Sequence, residues 1–341
     1  MFTNKTILIT GGSGDFGRCF IETILRDYPG VKRLIIFSRD VQKQAEIAQL
    51  YPENQFPQLR FFLGDVRDCV RLERACEGVD ILIHAASIAS IQAAEYNPEE
   101  CIKTNIIGAE NVINATLKMG VQDVIALSSD KACAPLNLYG ATQLVSDKLF
   151  VAANNMKGFK NIRFSVVRYG NVLGSKGSVS QLFLKKRHLG GNSLPITDKR
   201  MTRFMISKQQ VIAAVLYAIK NHIGGEIFIP KTSSYRITDL ATAIAPDMEQ
   251  QEIGIRPGEK IHEELISFAE NFNTIELDDY YVILPSISFT GNRNKSDYLK
   301  HYKATEVAGE FHYSSNENSR FETVESLRDK IRLYVNSGFK I

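Results

Sequence analysis

Short apolar runs recur along the first half of the chain, separated by longer stretches whose apolar residues come at helical spacing. Thr6–Thr10 (TILIT), Arg33–Phe37, Leu59–Leu63, Ile81–His84, Asp123–Leu127 and Arg163–Arg168 predict strands. Several are apolar throughout rather than alternating, as expected where a parallel sheet is covered on both faces. Between them, Phe16–Asp27, Val41–Leu50 and Ile102–Met119 have helix length. Strand–helix alternation of this kind predicts an α/β fold built on a doubly wound parallel sheet. After about Gly174 the rhythm breaks, and Pro and Gly cluster around Gly190–Pro195, Ile229–Lys231 and Arg256–Gly258. The expected division is a sheet domain over 1–174, a smaller part over 175–290, and a tail over 291–341 that reads as surface wrapping. Pieces of the later chain are allowed to return to the sheet. The longest apolar run, Val211–Ile219, is far short of the roughly 20 residues a spanning helix needs.

Composition narrows the classes of partner. The 341 residues carry 41 Lys+Arg against 38 Asp+Glu, a formal charge of +3, too small to predict a nucleic-acid or membrane partner. Apolar residues at 44% and charged residues at 23% are ordinary globular usage. Five scattered cysteines with no CxxC pair fit reduced thiols better than a disulfide framework or a zinc site. Met1–Thr10 lacks the charged start and long apolar stretch of a secretory leader. A cytoplasmic location without a metal centre is expected.

The first strand runs directly into Gly11-Gly12-Ser13-Gly14-Asp15-Phe16-Gly17, a GxxGxxG that opens a helix. Glycines at 11, 14 and 17 permit a tight turn, close approach of backbone to a pyrophosphate, and close helix–strand packing. The helix N-terminus then offers free N–H groups to the anion. This context favours a Rossmann-like dinucleotide site over a bare glycine turn. At the end of the second strand an NAD site would place an acid for the ribose 2′-hydroxyl. The chain has Ser38-Arg39-Asp40 there. Ser38 and Arg39 suit a 2′-phosphate, so NADP is favoured, while Asp40 leaves NAD open and a surface salt bridge is the rival reading of Arg39.

After the fifth strand comes Ser128-Ser129-Asp130-Lys131-Ala132-Cys133-Ala134-Pro135-Leu136-Asn137-Leu138-Tyr139-Gly140-Ala141-Thr142. With Gly64–Asp68, Ala94–Pro98, Arg168–Val172, Leu194–Asp198, Arg200–Phe204 and Ile255–Lys260, this stretch resembles the extended short-chain dehydrogenase/reductases. More narrowly it is similar to the inverting UDP-N-acetylglucosamine 4,6-dehydratases of pseudaminic acid and capsule synthesis. The resemblance covers nearly the whole chain, and the Asp130-Lys131 pair upstream of Tyr139 is its most specific element. It implies that Tyr139 takes the proton of the sugar C4 hydroxyl, that Ser129 hydrogen-bonds the reacting oxygen, and that a nicotinamide takes the hydride. Lys131 is expected to remove the C5 proton with its pKa lowered by burial, and Asp130 to protonate the departing C6 hydroxyl. An ordinary ion pair is the alternative for those two.

The resemblance further implies cofactor contacts from Gly11, Gly14, Asp15, Phe16, Gly17, Ser38, Arg39, Asp65, Val66, Ala85, Ala86, Asn105, Tyr139 and Gln143. It implies UDP-sugar contacts from Asn171 and, in the smaller part, from Thr197, Met201, Arg203, Arg256 and Glu259, with a structural salt bridge as the rival reading. A homo-oligomer, dimer or hexamer, is expected on the same ground. His262-Glu263 has no second His at helical spacing and is not read as a metal motif. Lys185-Lys186-Arg187 reads as a solvated helix face.

Three positions depart from the pattern. The superfamily's YxxxK becomes Tyr139-Gly140-Ala141-Thr142-Gln143; Ala89-Ser90 stand where these dehydratases carry Lys-His; and Met205 replaces a tryptophan. Residues i and i+4 share a helix face, so the usual lysine sits beside the phenol and favours the phenolate by ~1–3 pKa units. Gln143 keeps a hydrogen bond and supplies no charge; Lys131 is the nearest candidate to stand in. The departures leave a UDP-sugar 4-epimerase or 4-ketoreductase, and a catalytically weak nucleotide-sugar-binding subunit, as alternatives. Gln143→Lys is expected to raise dehydratase turnover, measured at neutral pH; unchanged turnover with cofactor binding intact removes this account of position 143.

Overall fold

A computed structural model describes residues 1–287 and 294–339. The six apolar runs pair in parallel as β1 (Thr6–Thr10), β2 (Arg33–Ser38), β3 (Leu59–Leu63), β4 (Ile81–His84), β5 (Asp123–Ser129) and β6 (Arg163–Tyr169). Their spatial order is β3-β2-β1-β4-β5-β6, the doubly wound arrangement expected from the alternation. Ile9 sits between Ile36 of β2 and Ile83 of β4. The unbroken apolar character of β1 has a direct cause: Ile7 and Ile9 enter one core with Phe20 and Ile24, while Leu8 enters the opposite core with Leu82 and Val112. Both faces are dry, so neither set of alternate positions is polar.

The sheet does not end with β6. Ile227–Pro230 lies parallel to it, and Tyr280–Ile283, Thr274–Glu276 and Thr305–Glu306 extend it antiparallel, giving ten strands among the described residues. Chain from both sides of residue 174 therefore builds one sheet. The boundary drawn at 290/291 lies outside the described residues. The tail is more than surface wrapping: Leu327 and Ile331 of the Val324–Tyr334 helix are fully buried in a separate core with Leu194, Ile196, Leu240 and Ile244. Charged neighbours such as Arg328, Asp329 and Arg332 hide that apolar stripe in the sequence.

The expected Ile102–Met119 helix begins earlier, at Pro98, and carries one wide π-helical turn over Lys103–Ile107 before continuing to Met119. Such turns break the 3.6 period and redirect a side chain. Here Asn105 is turned inward, donating to Thr142 Oγ1 at 3.0 Å and accepting the Ile88 N–H at 2.8 Å.

Arg168 in β6 ties the sheet to the 265–270 segment. Fully buried, it pairs with Asp147 of the Leu138–Met156 helix at 3.1 Å and with Glu270 at 2.9 Å, and donates to the Leu265 carbonyl at 3.1 Å. Burial works against its charge, but the two carboxylates outweigh burial and hold the guanidinium ionised. Arg168→Met would leave the buried Asp147 and the part-buried Glu270 without a counter-charge. A loss of about 3–5 kcal/mol in unfolding free energy is expected, measured by denaturant titration, with Asp147→Asn recovering part of it.

Candidate active site

The strand order reverses between β1 and β4, and a cleft of about 760 Å³ opens there. Gly11, at φ +65°, lies so close to the loop after β4 that a Cβ on it would fall 2.8 Å from Ala86 Cα. A Cβ on Gly17 would fall 2.1 Å from the Gly12 carbonyl oxygen, so only glycine lets the Asp15–Asp27 helix pack this near the turn. Gly14, Asp15, Phe16, Ala85 and Ala86 line the cleft, and the first helical turn faces it with the N–H groups that a helix start leaves free. Both the tight turn and the donors fit the pyrophosphate of a dinucleotide.

At the other end, Ser129 leads from β5 into a single turn, Asp130–Ala132, that rests on the start of the Leu138–Met156 helix. A Cβ on Gly140 would fall 2.2 Å from the Lys131 carbonyl oxygen, so glycine is what allows the turn to sit there. Asn137 caps the helix, accepting from the Gly140 N–H at 2.8 Å, and donates to the Gly258 carbonyl at 2.8 Å. The result gathers Ser129, Asp130, Lys131 and Tyr139. Asp130 is 1% exposed; its Oδ1 accepts from Ser129 Oγ and Lys131 Nζ, each at 2.8 Å, while Oδ2 is buried without a partner. Ser129 also hydrogen-bonds the Tyr139 phenol.

The electrostatics correct one expectation. Burial does act to lower the Lys131 pKa, but Asp130 at 2.8 Å and Glu263 at 3.5 Å more than offset it, and the net shift is upward. Lys131 is an ammonium held by two carboxylates, not a free amine. Tyr139 is shifted upward by burial, with Lys131 and the Ser129 hydrogen bond pulling the other way. Glu263 stands out in the sequence only as half of a rejected metal motif, and no group of potential metal ligands occurs among the described residues.

Of the other expected site residues, Asn105, Gln143, Asn171, Arg256 and Glu259 line the cleft. Asn171 Oδ1 and Glu259 Oε2 are buried without a partner, and Arg256 lies 3.7 Å from Glu259. Arg203 does not line it: its guanidinium donates to the carbonyls of Thr202, Lys260 and Ile261 at 2.7–3.0 Å. Thr197 and Met201 are likewise outside the lining and bonded to each other. Ser38 is buried and accepts from Gln44, Arg39 is turned to Asp65 at 3.7 Å, and Val66 packs against Gly108. In their place Arg18 and Lys43 line the cleft beside Ser13. Arg18 follows the last glycine by one residue, a spacing that could have revealed it. Ala89 and Ser90 do line the cleft, so that departure from the pattern faces its interior.

The family described as "Polysaccharide biosynthesis protein" matches residues 7–285. A Campylobacter jejuni protein named UDP-N-acetylglucosamine 4,6-dehydratase (inverting) is 50% identical over 332 residues, covering 97% of this chain and 98% of that one. A Rickettsia canadensis protein named UDP-glucose 4-epimerase is 39% identical, covering 83% and 84%. The X-ray structure of Pen from Bacillus thuringiensis superimposes with a TM-score of 0.85 at 32% identity, covering 97% and 98%.

The cleft floor also carries His84, whose Nδ1 lies 2.8 Å from Thr10 Oγ1. Burial lowers its pKa from 6.5 to about 4. Between those values the unfolded chain binds more protons than the folded one, so stability falls as pH drops through that window. His84→Gln is expected to remove about 2 kcal/mol of the stability lost between pH 7 and pH 5, read from denaturant midpoints at the two pH values.

Proposed function

Because the chain belongs to the polysaccharide biosynthesis family of extended short-chain dehydrogenase/reductases, we propose that it dehydrates UDP-N-acetylglucosamine to a 4-keto-6-deoxy sugar with inversion at C5, in the cytoplasm. The observation that carries this reading is the hydrogen-bonded Asp130–Lys131 pair beside Tyr139. A 4-epimerase needs the tyrosine and a hydride carrier but has no use for a second acid–base pair.

The glycine turn and the start of the Asp15–Asp27 helix would hold the pyrophosphate of NADP, with Asn105 and Gln143 toward the nicotinamide end. Arg18 and Lys43, rather than Arg39, favour the 2′-phosphate. Asp40, the acid an NAD ribose would want, is engaged in capping the next helix and pairing with Lys43 at 2.7 Å. When bound, the nicotinamide supplies a hydride acceptor for C4 and a donor for C6.

Tyr139 takes the proton of the C4 hydroxyl while Ser129 hydrogen-bonds it. The 4-ketone acidifies C5–H. With Lys131 held as an ammonium, the roles within the pair exchange relative to the expectation from the family pattern. Asp130 does not line the cleft, so its carboxylate, whose Oδ2 is buried without a protein partner, has to turn toward the sugar to take the C5 proton. Lys131, which does line it, gives one to the C6 hydroxyl, which leaves as water. Proton transfer across their 2.8 Å contact then restores the resting pair. C5 takes a proton from solvent on the opposite face of the sugar, and Tyr139 returns to solvent the proton it took from the C4 hydroxyl, so that the net change is loss of one water. Asn171 and Glu259 accept from uridine ribose hydroxyls and Arg256 faces the diphosphate; Arg203 supports this wall from behind.

Incubation of the protein with UDP-N-acetylglucosamine and either NADP or NAD, followed by proton NMR, tests the reading. A 4-keto-6-deoxy product is expected, formed faster with NADP and absent with Asp130→Asn or Lys131→Met. A 4-epimer instead points to the epimerase reading, which Ala89 and Ser90 in the cleft favour. Tight binding without any product points to a binding subunit.

A further inference from the structure

Position 143 is one helical turn beyond Tyr139, is 4% exposed and lines the cleft, so the charge that a lysine would place beside the phenol is absent. Lys131 lines the cleft with Tyr139, on the turn resting on Gly140, and its positive charge pulls the phenol pKa down against burial. Among the described residues, the other ionisable groups facing Tyr139 include Asp130 from the same turn, Asp147 from its own helix, Tyr169 from β6 and Cys101 of the Pro98–Ile102 helix, buried in the same apolar cluster.

A lysine side chain at the edge of an open cleft has many rotamers, and holding it in one costs entropy. Here it is clamped from two sides. Asp130 Oδ1 lies 2.8 Å from its Nζ, and Glu263 Oε1 lies 3.5 Å away, reaching in from a distant part of the chain. Glu263 is 3% exposed and is itself fixed through its backbone: its N–H donates to Ser315 Oγ at 2.9 Å, and its carbonyl accepts the Ser315 N–H at 2.8 Å. The simplest rival is that Glu263 merely neutralises Arg203. Arg203 Nε is farther from it, at 3.8 Å, and the same guanidinium is already bonded to three backbone carbonyls. The carboxylate thus stands nearer to the lysine than to the arginine.

We propose that Glu263 is a positioning residue: it holds the Lys131 ammonium toward Tyr139, so that Lys131 supplies the phenol with the positive charge that position 143 lacks. This rests on the reading of Tyr139 as the base of the reaction. It gives Lys131 two tasks, a proton to deliver and a field to maintain, and makes a residue far from the Tyr-containing segment responsible for the second.

The test reads the phenol directly, so it does not depend on turnover. Tyrosines are replaced biosynthetically by fluorotyrosine, which titrates in a milder range, and the Tyr139 fluorine resonance is assigned by its loss in Tyr139→Phe. The titration is followed with and without NADP. Glu263→Gln is expected to move it upward by about one pH unit, and Gln143→Lys in that background to return it. Glu263→Asp is expected to shift it less, and carries the test if Glu263→Gln does not fold. A phenol that titrates unchanged in both Glu263 variants, or a shift that Gln143→Lys leaves in place, overturns the proposal and leaves Glu263 as the counter-ion of Arg203. With UDP-N-acetylglucosamine as substrate, kcat near neutral pH should fall roughly tenfold in Glu263→Gln with KM held, and Gln143→Lys should restore it. If the wild type turns over no sugar, the dehydratase reading falls while the titration still decides the role of Glu263.

Discussion

The approach of the Lys131 carbonyl to Gly140 is the constraint on which the candidate active site depends. The two backbones meet where any side chain at 140 would stand, and that contact brings the end of β5 onto the start of the next helix. Ser129, Asp130 and Lys131 arrive from one element and Tyr139 from the other, so the four functional groups converge only if the gap between the elements is closed. Rigid elements hold such groups more firmly than a free loop would. Asn137 then ties the helix start to the Gly258 loop, which brings Arg256 and Glu259 to the opposite wall. One glycine and one capping side chain thereby join both halves of the cleft.

Charge is arranged on the same plan. Arg168 and Lys131 are cations of low exposure, and each faces two carboxylates from different segments. A buried charge with a single partner is costly, and one that bridges separate segments fixes their relation at the same time. Arg168, behind the sheet ends, does this without lining the cleft. Lys131 does it at the cleft wall, where the pairing also sets its protonation. The clamp that orders the lysine also holds it as an ammonium, and the exchange of roles proposed for the pair rests on that.

The fold was largely legible because parallel strands buried on both faces leave unbroken apolar runs, and because the glycine turn after β1 marks the switch point. Residues from contiguous motifs were legible for the same reason: Ser129 through Tyr139 sit within eleven positions, and their spacing encodes the turn. Legibility failed where geometry came from distant chain. Glu263 reaches Lys131 across more than a hundred residues, and nothing local distinguishes it from its neighbour Glu264. Arg203 read as a phosphate ligand because arginine forks suit diphosphates, but its donors are consumed by backbone that no motif reveals. The π-helical turn at Lys103–Ile107 likewise has no periodic signature, and only the inward Asn105 betrays it.

The replaced lysine at 143 then has a physical interpretation that does not require a dead site. Two cations beside one buried phenol repel each other, and a lysine at 143 would share a small, poorly solvated region with Lys131. A glutamine removes that repulsion and leaves the Asp130–Lys131–Glu263 group nearer to charge balance: one ammonium between two carboxylates, with Arg203 offsetting the excess from behind. The phenol's burial remains, and so does the upward pull on its pKa, now opposed by one cation instead of two. On the proposed roles for Tyr139, Asp130 and Lys131, the consequence of the glutamine is a higher working pH rather than the loss of the site.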